Sequence, residues 1–193
     1  MNESKNNLFP IFLKLESFRL LLVGAGPVAA EKLTAVLNNA PGTIIKIVTK
    51  EISQPILDLI RGRDNIQLLQ KVFEATDLNE TDIVILAIND KETSAKIRLE
   101  ANKKGLLVNV ADTPDLCDFY LGSIVQKGNL KLAISTNGQS PTAAKRIKEM
   151  LQDALPDELD EMIDNLHAIR NQLKGNFEEK VRKMNEITKA LIE

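Results

Sequence analysis

The sequence holds no tryptophan, one tyrosine, one histidine (His167) and one cysteine (Cys117) among its 193 residues. A single cysteine excludes an internal disulfide framework and suits a reducing compartment. One histidine and one cysteine cannot assemble a zinc centre of the usual His and Cys type, so any metal handled here meets mainly carboxylates or nitrogens of a substrate. His167 itself lies in the acidic helical end of the chain and is expected on a helix surface. No apolar run reaches the roughly 18 residues that a membrane-spanning helix needs. The polar opening, Met-Asn-Glu-Ser-Lys-Asn-Asn, has no signal-peptide core behind it, so a cytoplasmic location is expected. The formal net charge is -2. Lys and Arg are scattered instead of forming a stripe, which gives no case for nucleic acid as the main partner. The length suffices for one domain with a real core plus an appendage.

What is present is organised around Phe18 to Lys32, Phe-Arg-Leu-Leu-Leu-Val-Gly-Ala-Gly-Pro-Val-Ala-Ala-Glu-Lys. An apolar run breaks at two glycines and resumes with helical spacing, which predicts strand, tight turn and helix. Gly24, Gly26 and Ala29 match G-x-G-x-x-G/A: the first permits the turn, the second lets the backbone approach a pyrophosphate, and the third lets helix and strand pack closely. The helix would then aim its N-terminal amides at that phosphate. A glycine turn without a ligand is the alternative.

Downstream, Thr43 to Thr49, Ile66 to Gln70, Asp82 to Ile88 and Leu106 to Val110 read as further strands. Ser53 to Arg63 and Lys91 to Lys104 read as helices, the second ending at Gly105, a good residue for closing a helix. This alternation implies a doubly wound parallel sheet of the Rossmann type. The apolar lead-in Leu8 to Leu15 is expected to pack beside the first strand. Phe119 to Val125 and Leu130 to Ser135 read as a β-hairpin joined by Gln126-Lys127-Gly128-Asn129. Thereafter only helices are expected, broken near Pro156 and Gly175. Leu151, Leu155, Leu159, Met162, Ile163, Leu166 and Ile169 form one apolar face that needs a surface to pack on. The expected organisation is 1–112 for the dinucleotide-binding domain, 113–150 for hairpin and helix, and 151–193 for a helical domain.

Ligands of an open parallel sheet sit beyond the carboxyl ends of its strands. That rule selects Gly24 to Val28, Thr49 to Glu51, Ile88 to Asp90 and Asn109 to Asp112. Asp112 follows its strand by two residues and could serve as general base or hold a cation, or could simply form a turn before Thr113-Pro114. Near the end of the second strand both Lys50 and Glu51 are candidates for the ribose, so NAD and NADP are not separated by spacing. Ser140 can cap a helix with Pro141 at its first position, and the free amides there suit an anion. Lys145, Arg146 and Lys148 could assist or stay solvated. Cys117, with no partner, is expected to be a small filler.

Gly-Ala-Gly-Pro-Val-Ala-Ala-Glu-Lys, Val-Asn-Val-Ala-Asp at 108 to 112, and Ala-Ile-Ser-Thr-Asn-Gly-Gln-Ser-Pro-Thr-Ala-Ala-Lys-Arg-Ile-Lys-Glu at 133 to 149 together resemble the siroheme synthase N-terminal family. The resemblance spans essentially the whole chain and implies the single-module form, without a methyltransferase domain. It implies NAD-dependent dehydrogenation of precorrin-2 to sirohydrochlorin, followed in many members by insertion of Fe²⁺. It makes Gly24, Gly26, Pro27 and Val28 the pyrophosphate loop and sets Lys50 and Glu51 beside the ribose, with Ile88 and Asn89 also at the cofactor. Asp112 falls on the family's proposed catalytic aspartate, with a possible transient contact to iron. Asn109 matches a residue lining the tetrapyrrole cleft, and Thr136, Gln139, Ser140 and Pro141 match its closing loop. A homodimer built through the hairpin region is implied too. Gly122 stands where relatives usually have proline, and Thr136 and Asn137 where many have serine and glycine. The alternatives are a dehydrogenase without chelatase activity and a non-catalytic NAD sensor.

Overall fold

The computed structural model describes residues 6–189, and the chain divides into two compact units, Met1–Leu121 and Gly122–Glu193. The first unit alternates β1 (Arg19–Val23), α1 (Pro27–Asn39), β2 (Ile44–Thr49), α2 (Gln54–Ile60), β3 (Ile66–Gln70), β4 (Ile83–Leu86), α3 (Lys91–Lys103) and β5 (Leu107–Val110). A short 3-10 turn at Ala75–Leu78 stands between β3 and β4. All five strands are parallel in the order β3-β2-β1-β4-β5. The chain begins in the centre, winds outward through β2 and β3, then returns to the other side of β1. The gap between the carboxyl ends of β1 and β4 is therefore the topological switch point where a ligand crevice opens.

Strand alternation divides the core by face. Leu20, Leu22, Ile45, Ile47, Ile83 and Ile85 pack with Leu33 of α1 and Ile56 of α2. Leu21, Val23, Val84, Leu86, Val108 and Val110 pack with Ile97 and Ala101 of α3. Each such side chain removed from water contributes about 1.5–3 kcal/mol. The end of α3 is closed by Gly105 at φ 71, with Gly105 N donating to Asn102 O and Leu106 N to Ala101 O. This is the left-handed helix termination that glycine favours.

Two local expectations are only partly met, for different reasons. The lead-in does not flank β1, because β2 and β4 already occupy both of its edges. Phe9 is 87 % and Phe12 68 % exposed, and of this region only Leu15 and Phe18 pack on the core. Phe119 to Leu121 are likewise not strand, since β6 begins at Ser123. The Phe119 carbonyl instead accepts from Asn109 Nδ2, and its ring packs on the α1 side of the sheet.

The second unit holds β6 (Ser123–Lys127), β7 (Leu130–Ile134), α4 (Pro141–Ala154), α5 (Leu159–Gln172) and α6 (Phe177–Thr188). The strands pair antiparallel through a two-residue Gly128-Asn129 loop with Gly128 at φ 50. Asp160 of α5 clamps this loop, accepting from Asn129 N at 2.6 Å and Asn129 Nδ2 at 3.0 Å, while Lys127 pairs with Asp157. Helix breaks fall at 155–158 and 173–176, around the expected Pro156 and Gly175. The apolar face from Leu151 to Ile169 is half-buried throughout, and His167 is exposed. Among the described residues no helix is long and apolar enough to cross a membrane.

Candidate functional site

Gly24 ends β1 at φ 107, and its N–H donates to Val48 O at 2.8 Å. A Cβ there would stand 2.4 Å from the carbonyl oxygen of Ala87. The left-handed backbone and the close approach of the β4 exit both require glycine at this position. Gly26 differs in kind: it is the N-cap of α1, and a Cβ on it would meet nothing within 4 Å. The space beside it is open, no side chain caps the helix, and its first turn carries no acid. The α1 amides therefore face open space with the partial positive charge that attracts a phosphate. Ala29, the third small residue, is fully buried, as close helix-to-strand packing demands.

Gly24 and Gly26 line a pocket of about 930 Å³ at the switch point, within the range of cofactor sites. Gly24, Gly26, Pro27, Val28, Lys50, Glu51, Ile88, Asn89 and Asp112 all line it. The carboxyl ends of β1, β2, β4 and β5 thus converge here. Spacing did not single out Ile52, Ser53, Phe73, Thr93 and Ser94, which also line the pocket. Ser53 was legible only as a helix start before Gln54-Pro55, yet its hydroxyl makes no capping bond. That oxygen is buried without a hydrogen-bond partner, a situation that costs about 1–3 kcal/mol unless a ligand or water relieves it. A glycine cradle, an uncapped helix start and an unpartnered hydroxyl in one pocket fit a dinucleotide.

The charged groups divide into committed and uncommitted sets. Asp90 is the N-cap of α3; its carboxyl is held below the usual range first by the hydroxyl and amide of Thr93, then by the Glu92 amide and the nearby charge of Lys50. Lys71 is tied to Asp77 and Glu74, which raise its pKa. Lys50, Glu51, Lys91 and Asp112 carry no side-chain hydrogen bond or ion pair among the described residues.

Asp112 lies on the turn after β5 at φ 56, a left-handed position that Asp tolerates better than most residues. Its neighbours hold it there: Ala111 N donates to Leu86 O, and Thr113 N to Val110 O. Asp112 is therefore turn-former and pocket carboxylate together, exposed and unpaired. Asn109 has another environment. It is 6 % exposed, is absent from the pocket wall, and donates to Phe119 O at 2.8 Å and weakly to Cys117 Sγ. Its amide pins the 113–119 loop to β5, together with Asp118, which accepts from Val108 N and pairs with Arg98 at 2.6 Å. Cys117 fills the same knot, bonding both polar groups of Val110, and burial pushes its thiol pKa up. An inert filler is what such a setting makes.

In the second unit, Thr136, Gln139, Ser140 and Pro141 form a self-bonded loop. Gln139 N donates to Thr136 O, Thr136 Oγ1 bridges to both the N–H and the carbonyl of Ser140, and Ser140 Oγ accepts from Ala143 N as the cap of α4. Asn137 at φ 54 and Gly138 at φ 74 supply the bend. Asn can hold the left-handed conformation and Thr keeps a hydroxyl, so the two departures from the usual serine and glycine are accommodated.

Pocket, glycine cradle and strand order define a dinucleotide-binding α/β protein. Residues 11–123 match the family model described as putative NAD(P)-binding, and residues 127–154 match the one described as sirohaem biosynthesis protein central. The chain belongs to the siroheme synthase N-terminal (precorrin-2 dehydrogenase) family. It is 36% identical to a siroheme synthase of Methylococcus capsulatus over 147 residues, 76% of this chain and 30% of that protein. It is also 36% identical to siroheme synthase 1 of Serratia proteamaculans over 165 residues, 86% of this chain and 34% of that one. The chain thus spans about a third of the length of these relatives. The solved structure of SirC, precorrin-2 dehydrogenase, superposes with a TM-score of 0.75 at 25% identity, covering 93% of this chain and 89% of that one.

Proposed function

We propose that this protein oxidises precorrin-2 to sirohydrochlorin with NAD⁺, and that Asp112 is its general base. The observation that carries this reading is an unpaired carboxylate held on a left-handed turn in the wall of the dinucleotide pocket. NAD⁺, when bound, supplies the acceptor for the hydride. Gly24, Gly26, Pro27 and Val28 with the α1 amides hold its phosphates, Lys50 and Glu51 meet a ribose, and Ile88 and Asn89 flank the remainder. Asp112 takes the ring proton lost with the hydride, so two electrons and two hydrogens leave the substrate. Asn109 sets the shape of the loop after β5 instead of touching the macrocycle with its committed amide. Thr136, Gln139, Ser140 and Pro141 meet acetate and propionate groups of the substrate, the α4 start offering backbone amides to an anion.

A second step follows from the same carboxylate: Fe²⁺, as a substrate, enters sirohydrochlorin while Asp112 removes pyrrole protons or guides the metal. The competing reading is dehydrogenation alone. The protein works in the cytoplasm, in line with its single unpaired cysteine, and as a homodimer, which would cover the half-buried apolar face of the second unit.

Absorbance at 340 nm with precorrin-2 and NAD⁺ tests the first step. NADH formation is expected; nucleotide binding without turnover would make the protein a sensor. Fe²⁺ added to sirohydrochlorin and purified protein, followed by the change of the macrocycle spectrum, separates bifunctional enzyme from dehydrogenase.

A further inference from the structure

The ribose end of the pocket is polar in two opposite senses. β2 ends at Thr49, whose hydroxyl donates to Glu51 O at 2.6 Å and is therefore spent on the backbone. No carboxylate stands on the last residue of the strand, where NAD-selective sites commonly place one. The first side chain beyond the strand is Lys50, exposed and without a hydrogen bond or ion pair, its charge felt by Asp90. Its carbonyl accepts from Gln70 Nε2, so the backbone that carries it is pinned on both sides. Two residues past Glu51 stands Ser53, with its amide committed to Ala25 O and its hydroxyl buried without a partner. Both residues line the pocket, so an oxygen of a ligand there can supply the partner that the protein withholds. An ammonium and an unsatisfied hydroxyl in the wall of one pocket are the chemistry that recognises a phosphate monoester. Glu51, equally exposed and unpaired, is the chemistry that recognises a ribose diol.

We propose that Lys50 and Ser53 form a subsite for the 2′-phosphate of NADP⁺, with Glu51 serving the diol of NAD⁺, so that this protein takes both nucleotides. The proposal rests on the dinucleotide reading of the pocket and adds to it the group bound at the ribose. A 2′-phosphate placed at Lys50 gains a charge-assisted contact and relieves the Ser53 hydroxyl. A 2′-hydroxyl finds Glu51 instead. The opposite charges of adjacent residues keep either ligand from being excluded.

Calorimetric titration of the intact protein with NAD⁺, NADP⁺, 5′-AMP and 2′,5′-ADP reads the subsite without any turnover. NADP⁺ should bind within about tenfold of NAD⁺, and 2′,5′-ADP about tenfold or more tighter than 5′-AMP, the factor that one charge-assisted hydrogen bond supplies. Lys50→Ala should weaken NADP⁺ and 2′,5′-ADP about tenfold more than it weakens NAD⁺ and 5′-AMP. Ser53→Ala should act in the same direction by a few-fold, and Glu51→Gln should tighten NADP⁺ while weakening NAD⁺. A wild-type preference for NAD⁺ above about a hundredfold, or a Lys50→Ala variant that weakens both nucleotides equally, overturns the subsite and leaves the dinucleotide reading standing. Binding of none of the four ligands overturns both.

Discussion

Among the described residues all but two of the buried apolar side chains lie in the first unit; the second contributes only Val125 and Ala144. The physical difference is one of layers. A parallel sheet with helices on both faces closes its core within one chain. A two-stranded sheet with a few helices offers one shallow face, and such hairpins are marginal without further packing. The second unit compensates with polar clamps, Asp160 on the hairpin loop and Asp157 on Lys127, and leaves Met150, Phe177, Val181 and Ile187 exposed. The first unit lines its pocket with its own residues, whereas the apolar face of the second from Leu151 to Ile169 stays half-buried.

The sharpest test of this contrast is chemical. Asp112→Asn keeps size and tolerance of the left-handed turn, so the protein should fold and bind nucleotide while precorrin-2 oxidation falls by about 10² to 10⁴. Near-normal turnover would return Asp112 to a turn-forming role. Gly24→Val should abolish nucleotide binding measured by titration and lower stability by more than about 3 kcal/mol, because the new side chain meets the Ala87 carbonyl in a backbone conformation it resists. Next in size is a matched pair of truncations. Leu21→Ala should cost about 2–5 kcal/mol in denaturant unfolding, whereas Met150→Ala, 61 % exposed, should cost less than about 0.5 kcal/mol unless a partner copy covers it. A large concentration-dependent loss at Met150 would locate the missing surface in a second copy.

The smallest effect is in pH. The side-chain hydrogen bond from Arg19 holds Asp82 below the ordinary carboxylate range, and that from Lys127 does the same for Asp157. A depressed carboxyl contributes stability that is complete above its unfolded value near 4 and is lost as pH falls through the lower folded value. Melting temperature should therefore fall modestly from pH 6 to pH 3 in low salt. Because these groups are exposed, the ion-pair part of that fall should shrink in 1 M salt.

Much of the pocket was legible because it is made of local signals. Gly24 and Gly26 reveal a turn by their spacing, and in an open parallel sheet ligands sit beyond the strand carboxyl ends near the topological switch point. Lys50, Glu51, Ile88, Asn89 and Asp112 follow from that rule alone. Asn109 obeys the same rule, yet its amide is spent on Phe119, a residue ten positions on whose location no local pattern contains. Ser53 was invisible as a ligand candidate for the opposite reason. A serine before Gln-Pro reads as a helix cap, and only the assembled fold leaves its hydroxyl unpaired.

By itself the sequence determined the order of strands and helices, the glycine cradle, the hairpin and the breaks around Pro156 and Gly175, because hydrophobic period and backbone permissiveness act over a few residues. The tertiary structure alone decided which strands flank β1, and hence that the apolar lead-in from Leu8 to Leu15 has no strand edge to join, with only Leu15 of it packing on the core. It also decided which polar side chains are spent on the protein and which remain for a ligand. Those outcomes depend on hydrogen-bond partners and edges that distant segments bring, and a single residue's type does not encode which of them arrives first.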